Sequence, residues 1–479
     1  MYYEDEYRNF IRFKHSEGEK KIKKVKDFNP KEEYYIIKSY LDNYLNGRLE
    51  KRFLALPGLR GVGKTTILFQ LYDYLLNKKN ISSNNIFYIS FDQFRKYFQT
   101  DILEIVNSFL KEIHNIDMVD LDEQIFIFID EVHLDKTWGD SGKIIFDTTD
   151  NIFLICTGSS ALDLEISGDV ARRLDKKYIF PNNFKDSLME KHNISINSDF
   201  STALKELIYL GDDNSLKKAI ALEKKVENSL KLLNKNPKYE FESFLKTQGF
   251  PSTLNFSEIE TYEDIYSRIE NIINKDISSI KSFNLSTASS IEEIIYYLGL
   301  QAPGGTSTYN IANYISIGQT TVKNILDVLE KTQLLFSILP YGSGGKIIKK
   351  PRQYFFLSPS IKAAINYNVG RFDLMSRKCL GALAETLVAS GLYKMTKTSY
   401  PVMKLFYPPD KGSSDFLIKV KLNDLIPIEI GVGKKTKSHL TKDINKYGSE
   451  YGILISNRYS KLKKENNIIY IPLMYIGFI

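Results

Sequence analysis

Cysteine is nearly absent. The 479 residues contain two, Cys156 and Cys379, and neither stands in a metal-ligand spacing. That excludes a disulfide framework and a structural zinc site, and a reduced, cytoplasmic setting is expected. Long apolar runs are missing too. No stretch approaches the roughly eighteen consecutive apolar residues of a membrane span, and the charged opening MYYEDEYRNFIRFKHSEGEKKIKK lacks the apolar core of a signal peptide. Charge of one sign is not in strong excess: 65 basic against 58 acidic residues give +7, which permits a nucleic-acid partner without arguing for one. No internal repeat is visible. What remains is an ordinary globular composition, 43% hydrophobic and 26% charged, in a chain long enough for roughly two to four domains.

The most informative stretch is Gly58-Leu59-Arg60-Gly61-Val62-Gly63-Lys64-Thr65. It fits the phosphate-binding pattern G-x-x-x-x-G-K-[ST] at every fixed position. Glycines let such a loop wrap tightly and aim successive backbone N–H groups at phosphate oxygens. Lys64 is placed to reach the β- and γ-phosphates, and the Thr65 hydroxyl to hold Mg²⁺. The context agrees. Arg52 to Leu56 reads as a buried strand entering the loop, and Thr66 to Leu76 as a helix leaving it.

Further apolar strands are expected at Ile86–Phe91, Ile125–Ile129, Ile152–Cys156 and Lys177–Phe180, with an amphipathic helix from Thr100 to His114. Alternation of strands and helices predicts a parallel sheet with right-handed crossovers. The third strand ends in Asp130-Glu131. Downstream of a phosphate loop that pair reads as a Mg²⁺-binding aspartate and a glutamate that orients or deprotonates the attacking water. Thr157, Ser159 and Ser160 close the next strand, where a polar sensor of the γ-phosphate would stand; ordinary turn residues are the plainer reading. Arg172 and Arg173 follow, either as a charge-neutralising finger or as solvated surface arginines.

With these residues in view, the chain resembles the bacterial and archaeal AAA-type P-loop ATPases that end in a restriction-endonuclease-like domain. The resemblance rests on Gly58–Thr66, Phe128-Ile129-Asp130-Glu131 with Trp138 after it, Thr157-Gly158-Ser159-Ser160, Ala171-Arg172-Arg173 leading to Pro181, and Gly249-Phe250-Pro251. It implies an α/β fold in five parts: an N-terminal helical segment (1–50), a P-loop AAA-type ATPase core (51–182), a helical lid or connector (183–283), a winged helix-turn-helix (284–370) and a restriction-endonuclease-like domain (371–479). It also implies ATP and Mg²⁺ as cofactors. Gly58, Gly61, Val62, Gly63, Lys64, Thr65 and Thr66 would contact the nucleotide, and Thr65 and Asp130 the metal. Glu131, Lys64, Ser159, Ser160, Arg172 and Arg173 would act in hydrolysis, with self-association expected and no membrane partner.

The later segments carry their own signals. Tyr309–Tyr314, a tight turn and Gln319–Leu329 show helix-turn-helix spacing, with Gln319, Thr320, Lys323 and Asn324 at the outer positions; both DNA contact and protein packing fit. Glu385, Asp415 and Glu429 fall where nucleases of the restriction-endonuclease fold place three metal-binding carboxylates. Gly431 stands where their lysine is expected, so weak or absent cleavage is predicted. Three functions fit: an ATP-driven switch on DNA, an ATP-gated nuclease, and a nucleotide-controlled interaction protein.

Overall fold

The computed structural model describes residues 2–159, 167–277, 285–301, 305–342, 350–371, 373, 376–421, 424–431 and 437–479. The chain divides into two compact units, Met1–Ile179 and Phe180–Ile479.

The first unit is built on five parallel strands: β1 (Phe53–Pro57), β2 (Ile86–Ser90), β3 (Ile125–Asp130), β4 (Ile152–Gly158) and β5 (Leu174–Lys176). Their spatial order is β2-β3-β4-β1-β5. Thus β4 lies between the strand that feeds the glycine loop and the strand that ends in Asp130. Every residue of β1 to β4 is buried, as strands covered on both faces require, and this explains the unbroken apolar run IFIFI. The predicted fifth strand is displaced. Leu174–Lys176 pair with Phe53–Ala55, and the chain meets the end of β1 again where Ile179 bridges Gly58. The helix expected over Thr100–His114 runs as an α-helix over Ile102–Phe109, capped by the Asp101 carboxylate accepting from the Glu104 N–H at 2.8 Å. It widens into a π-helical turn at Leu110–His114.

The helix Tyr2–Ile22 packs on β2 and on the helix Lys64–Lys78. Its Tyr7 meets Phe94 and Phe98 edge-on, with centroids 5.3 and 5.1 Å apart. Packing is tighter still where the helix Trp138–Thr148 crosses β1. A Cβ on Gly142 would lie 2.1 Å from Phe53 Cζ, and the Phe53 ring is wholly buried. Gly142→Ala is therefore expected to force the helix off the sheet and lower stability by about 1–3 kcal/mol. Chemical denaturation measures this, and an unchanged midpoint would show that the helix can slide without cost.

The second unit opens with helices Phe184–His192, Ser198–Leu210, Asp213–Leu230, Pro237–Thr247 and Glu258–Asn271. Leu285–Leu300, Thr308–Ile315 and Gln319–Lys331 follow, and then an antiparallel hairpin of β6 (Leu335–Pro340) and β7 (Gln353–Phe356). The remaining strands are β8 (Lys404–Tyr407), β9 (Phe416–Lys419), β10 (Leu425–Gly431), β11 (Gly452–Ser456), β12 (Lys463–Glu465) and β13 (Ile468–Pro472). Leu339 and Pro340 of β6 pair in parallel with Phe406 and Tyr407 of β8. That junction makes the hairpin and the C-terminal strands one mixed sheet of eight, in the order β12-β13-β11-β10-β9-β8-β6-β7.

A buried ion cluster ties the first helices of this unit. Glu240, 4% exposed, faces Lys191 at 2.8 Å and His192 at 3.0 Å, and accepts from Gln248 Nε2 at 2.7 Å. Burial pushes its pKa up, but these donors outweigh burial and hold it at about 2. A depressed carboxylate pKa stabilises the fold above the ordinary value and loses that contribution as pH falls through the folded one. Glu240→Gln is accordingly expected to melt below the wild type near neutral pH. The gap should close as pH drops from about 5 toward about 2. A gap independent of pH in calorimetric scans would assign it to packing instead.

Candidate functional site

The loop between β1 and the helix Lys64–Lys78 has the geometry its glycines allow. Gly61 and Gly63 have φ of 87° and 99°, and a Cβ on Gly58 would lie 2.4 Å from the Ile179 carbonyl oxygen. Val62 is buried, Thr66 is half-buried and Thr65 is open to solvent. Lys64 is 6% exposed, and its Nζ donates to the carbonyls of Gly58 at 2.8 Å and Leu59 at 2.9 Å. The ammonium thus sits over the inside of the loop, at a helix N-terminus whose N–H groups favour an anion. Two supports come from ahead of β1. Lys31 Nζ donates to the Val62 carbonyl at 3.3 Å, and Gln70 Nε2 to the Phe28 carbonyl at 3.0 Å. Sequence reasoning missed Lys31, which lies in a polar segment with no motif around it.

Asp130 is 4% exposed and well partnered. Its Oδ2 accepts from Thr65 Oγ1 at 2.6 Å and from Tyr88 Oη at 3.3 Å, and its Oδ1 accepts a short hydrogen bond from Thr157 Oγ1. The sheet arranges this: Ser90 pairs with Asp130, and Ile129 with Cys156, so the ends of β2, β3 and β4 converge. Glu131 leaves β3 at φ 58°, ψ 37°, a left-handed conformation that costs a non-glycine residue energy. Burial raises its pKa and Asp130 adds to the effect, while Lys64 opposes it. Its Oε2 is 3.3 Å from His133 Nδ1. The same nitrogen accepts the Ser159 N–H at 3.3 Å. Ser159 is 5% exposed, and its hydroxyl has no hydrogen-bond partner among the described residues.

These residues fit a magnesium nucleotide. The donor set is a lysine and backbone N–H groups for phosphate, a hydroxyl–carboxylate pair for a hard cation, and a buried serine hydroxyl still able to bond. The remaining predicted residues fare differently. Ser160 lies outside the described residues. Arg173 is held by Asp147 and by the Asp169 carbonyl, whereas Arg172 is exposed. Among the described residues no group of three His, Cys, Asp or Glu side chains is placed to hold a metal ion. The charge of Glu385 acts on Lys362, Asp415 Oδ2 accepts the Ile430 N–H at 2.7 Å, and Glu429 faces His439 at 3.7 Å.

The sheet, loop and acidic strand end define a P-loop ATPase fold of the AAA type, and residues 50–188 match the family model described as an AAA domain. The chain belongs to the family of the uncharacterized protein MJ1637 of Methanocaldococcus jannaschii, with 34% identity over 440 residues, 92% of this chain and 87% of that protein. An uncharacterized protein of Haemophilus influenzae is 24% identical over 343 residues, 67% of this chain and 72% of its own. Residues 239–367 match a model described as a domain of unknown function, DUF8612. Among solved structures, the Aeropyrum pernix ORC1 protein in complex with DNA aligns with a TM-score of 0.32 and 12% identity, covering 72% of this chain and 94% of that one. Among the described residues no helix is long and apolar enough to cross a membrane.

Proposed function

We propose that this chain is a Mg²⁺-dependent ATPase that works as an ATP-driven switch on DNA. The observation that carries the reading is the Thr65–Asp130 pair at 2.6 Å, with Glu131 in the field of both Asp130 and Lys64. It supports cation binding and water activation at one point. Thr65 and Asp130 would hold Mg²⁺, Lys64 the phosphates, and Glu131 the attacking water. Ser159 would sense the γ-phosphate. Of the two arginines Arg172 suits a finger offered to a neighbouring subunit, since Arg173 is committed within its own chain.

The DNA part of the reading rests on the second unit. Helices Thr308–Ile315 and Gln319–Lys331 bury Ile311, Val322, Ile325, Leu326 and Leu329 and leave Gln319, Thr320 and Lys323 exposed. Tyr309 and Tyr314 stand out at 57% and 70% exposure. With β6 and β7 behind them this is the winged helix-turn-helix we assign to 284–370, its second helix offered to a major groove. The segments 1–50, 51–182, 183–283 and 371–479 would serve as helical support, motor core, lid, and a restriction-endonuclease-like scaffold that does not cut.

The test is binding of a labelled duplex at low and raised salt, without nucleotide and with Mg²⁺-ATP or Mg²⁺-ADP. Affinity should fall steeply as salt rises, change with the nucleotide, and weaken in Gln319→Ala/Lys323→Ala. An intact ATPase with no salt-dependent binding in any state would leave the nucleotide-controlled interaction protein as the better reading.

A further inference from the structure

His133 belongs to none of the motifs, yet it occupies the centre of the site. It lies in the short helical turn Val132–Leu134 just past the acidic pair, with a side chain only 3% exposed. One of its atoms, Nδ1, has two claimants. Ser159, at the end of β4, donates its main-chain N–H to it at 3.3 Å. Glu131 brings Oε2 to the same nitrogen, also at 3.3 Å.

An imidazole nitrogen carries either one in-plane lone pair or one N–H. As an acceptor it satisfies Ser159 and repels an ionised Glu131. As a donor it binds Glu131 and abandons the Ser159 N–H. It cannot serve both at once while the carboxylate is charged. The competing groups are the two that matter for hydrolysis, the water-activating carboxylate and the end of the strand that carries the sensor serine. Glu131 sits there in a strained left-handed conformation, so its side-chain direction depends on such neighbours and not on the backbone's own preference.

We propose that His133 is a positioning residue that couples the end of β4 to Glu131, so that a shift of the Ser159 main chain changes how the base is aimed. Movement of Ser159 toward bound phosphate withdraws its N–H from Nδ1; the ring proton then moves from Nε2 to Nδ1 by exchange with water, and the new Nδ1–H donates to Glu131 and holds it over the water. The inference rests on the ATPase reading above. It adds the route by which nucleotide contact at the sensor reaches the base.

The experiment uses the full chain with Mg²⁺-ATP and follows kcat, KM, nucleotide affinity and Tm. In His133→Ala, kcat is expected to fall on the order of 10- to 100-fold, because the base is no longer aimed. KM and affinity should stay at wild-type values, while Tm falls modestly because a buried, hydrogen-bonded ring is lost. His133→Asn, whose amide lies close to the Nδ1 position, should recover most of the loss. In a Glu131→Gln background, adding His133→Ala should cost nothing further, since a residue acting through Glu131 has nothing left to position. Wild-type kcat in His133→Ala overturns the proposal. So does a kcat loss accompanied by an equal loss of affinity, a failure of His133→Asn to rescue, or full additivity with Glu131→Gln. Absence of turnover in the wild type would instead sink the ATPase reading itself, so the two failures are told apart.

Discussion

Lys64→Ala is expected to abolish measurable ATP binding while the chain stays folded. Lys64 is the cation inside the loop, 6% exposed, with its ammonium donating to the Gly58 and Leu59 carbonyls at 2.8 and 2.9 Å. Those carbonyls belong to a loop also fixed by its backbone geometry and by the Lys31 hydrogen bond to Val62, so the loop does not depend on Lys64 alone to hold its shape. Phosphate binding does. Removing one charge-assisted hydrogen bond costs about 1.5–3 kcal/mol, and a lysine between the β- and γ-phosphates makes about two, so affinity should drop roughly a hundredfold to ten-thousandfold. The neighbourhood makes matters worse. Lys64 is the leading charge that lowers the Glu131 pKa, so without it the site keeps Asp130 and Glu131 and turns repulsive to an anion. Lys64→Arg is not a safe control, because a planar guanidinium does not fit where a compact ammonium did. Titration of a fluorescent ATP analogue, with Tm as the folding check, decides the point. Undiminished affinity with normal Tm would mean that the loop is not the nucleotide site.

Much of the first unit was legible because its signals are local. A strand buried on both faces must be apolar throughout, so β3 announced itself, and the loop motif carries its own spacing. The misplaced fifth strand shows where locality ends. Lys177-Tyr178-Ile179-Phe180 is the more apolar stretch, yet Leu174–Lys176 makes the ladder, since pairing with Phe53–Ala55 decides it and propensity does not. His133 and Tyr88 were invisible for a related reason. Their importance appears only when β2, β3 and β4 are set side by side and bring Ser159 and Asp130 to them. The three C-terminal carboxylates rest on spacing along the chain alone. Their positions along the chain suit a metal site; Asp415 accepts the Ile430 N–H beside Glu429, while burial lowers the Lys362 pKa to about 8 and the charge of Glu385 opposes that shift. The hairpin's continuity with the C-terminal sheet depends on the β6–β8 junction, where Leu339 meets Phe406 across a long stretch of chain, and no local pattern encodes that pairing.

Glu131→Gln is expected to separate binding from turnover: Mg²⁺-ATP should bind as in the wild type, and hydrolysis should fall by about 10²–10⁴-fold. Glutamine keeps the length and shape of the side chain and can still hydrogen-bond to His133, so the left-handed backbone at φ 58° and the packing around it are preserved. The proposed metal position, Thr65 with Asp130 at 2.6 Å, is untouched. What disappears is the basic oxygen. Burial raises the Glu131 pKa, and the neighbouring Asp130 raises it further, which makes it a better proton acceptor than an exposed carboxylate. An amide offers nothing comparable. The substitution should also remove a negative charge facing the phosphates, so affinity is expected to stay level or rise slightly. The consequence is a chain held in its ATP-bound state, which makes this variant the one in which the proposed nucleotide-dependent DNA binding would be easiest to see. Phosphate release measured beside nucleotide affinity gives the answer. Turnover close to wild type would place the base at another residue, and a loss of ATP binding equal to the loss of turnover would reduce Glu131 to a structural part of the strand end.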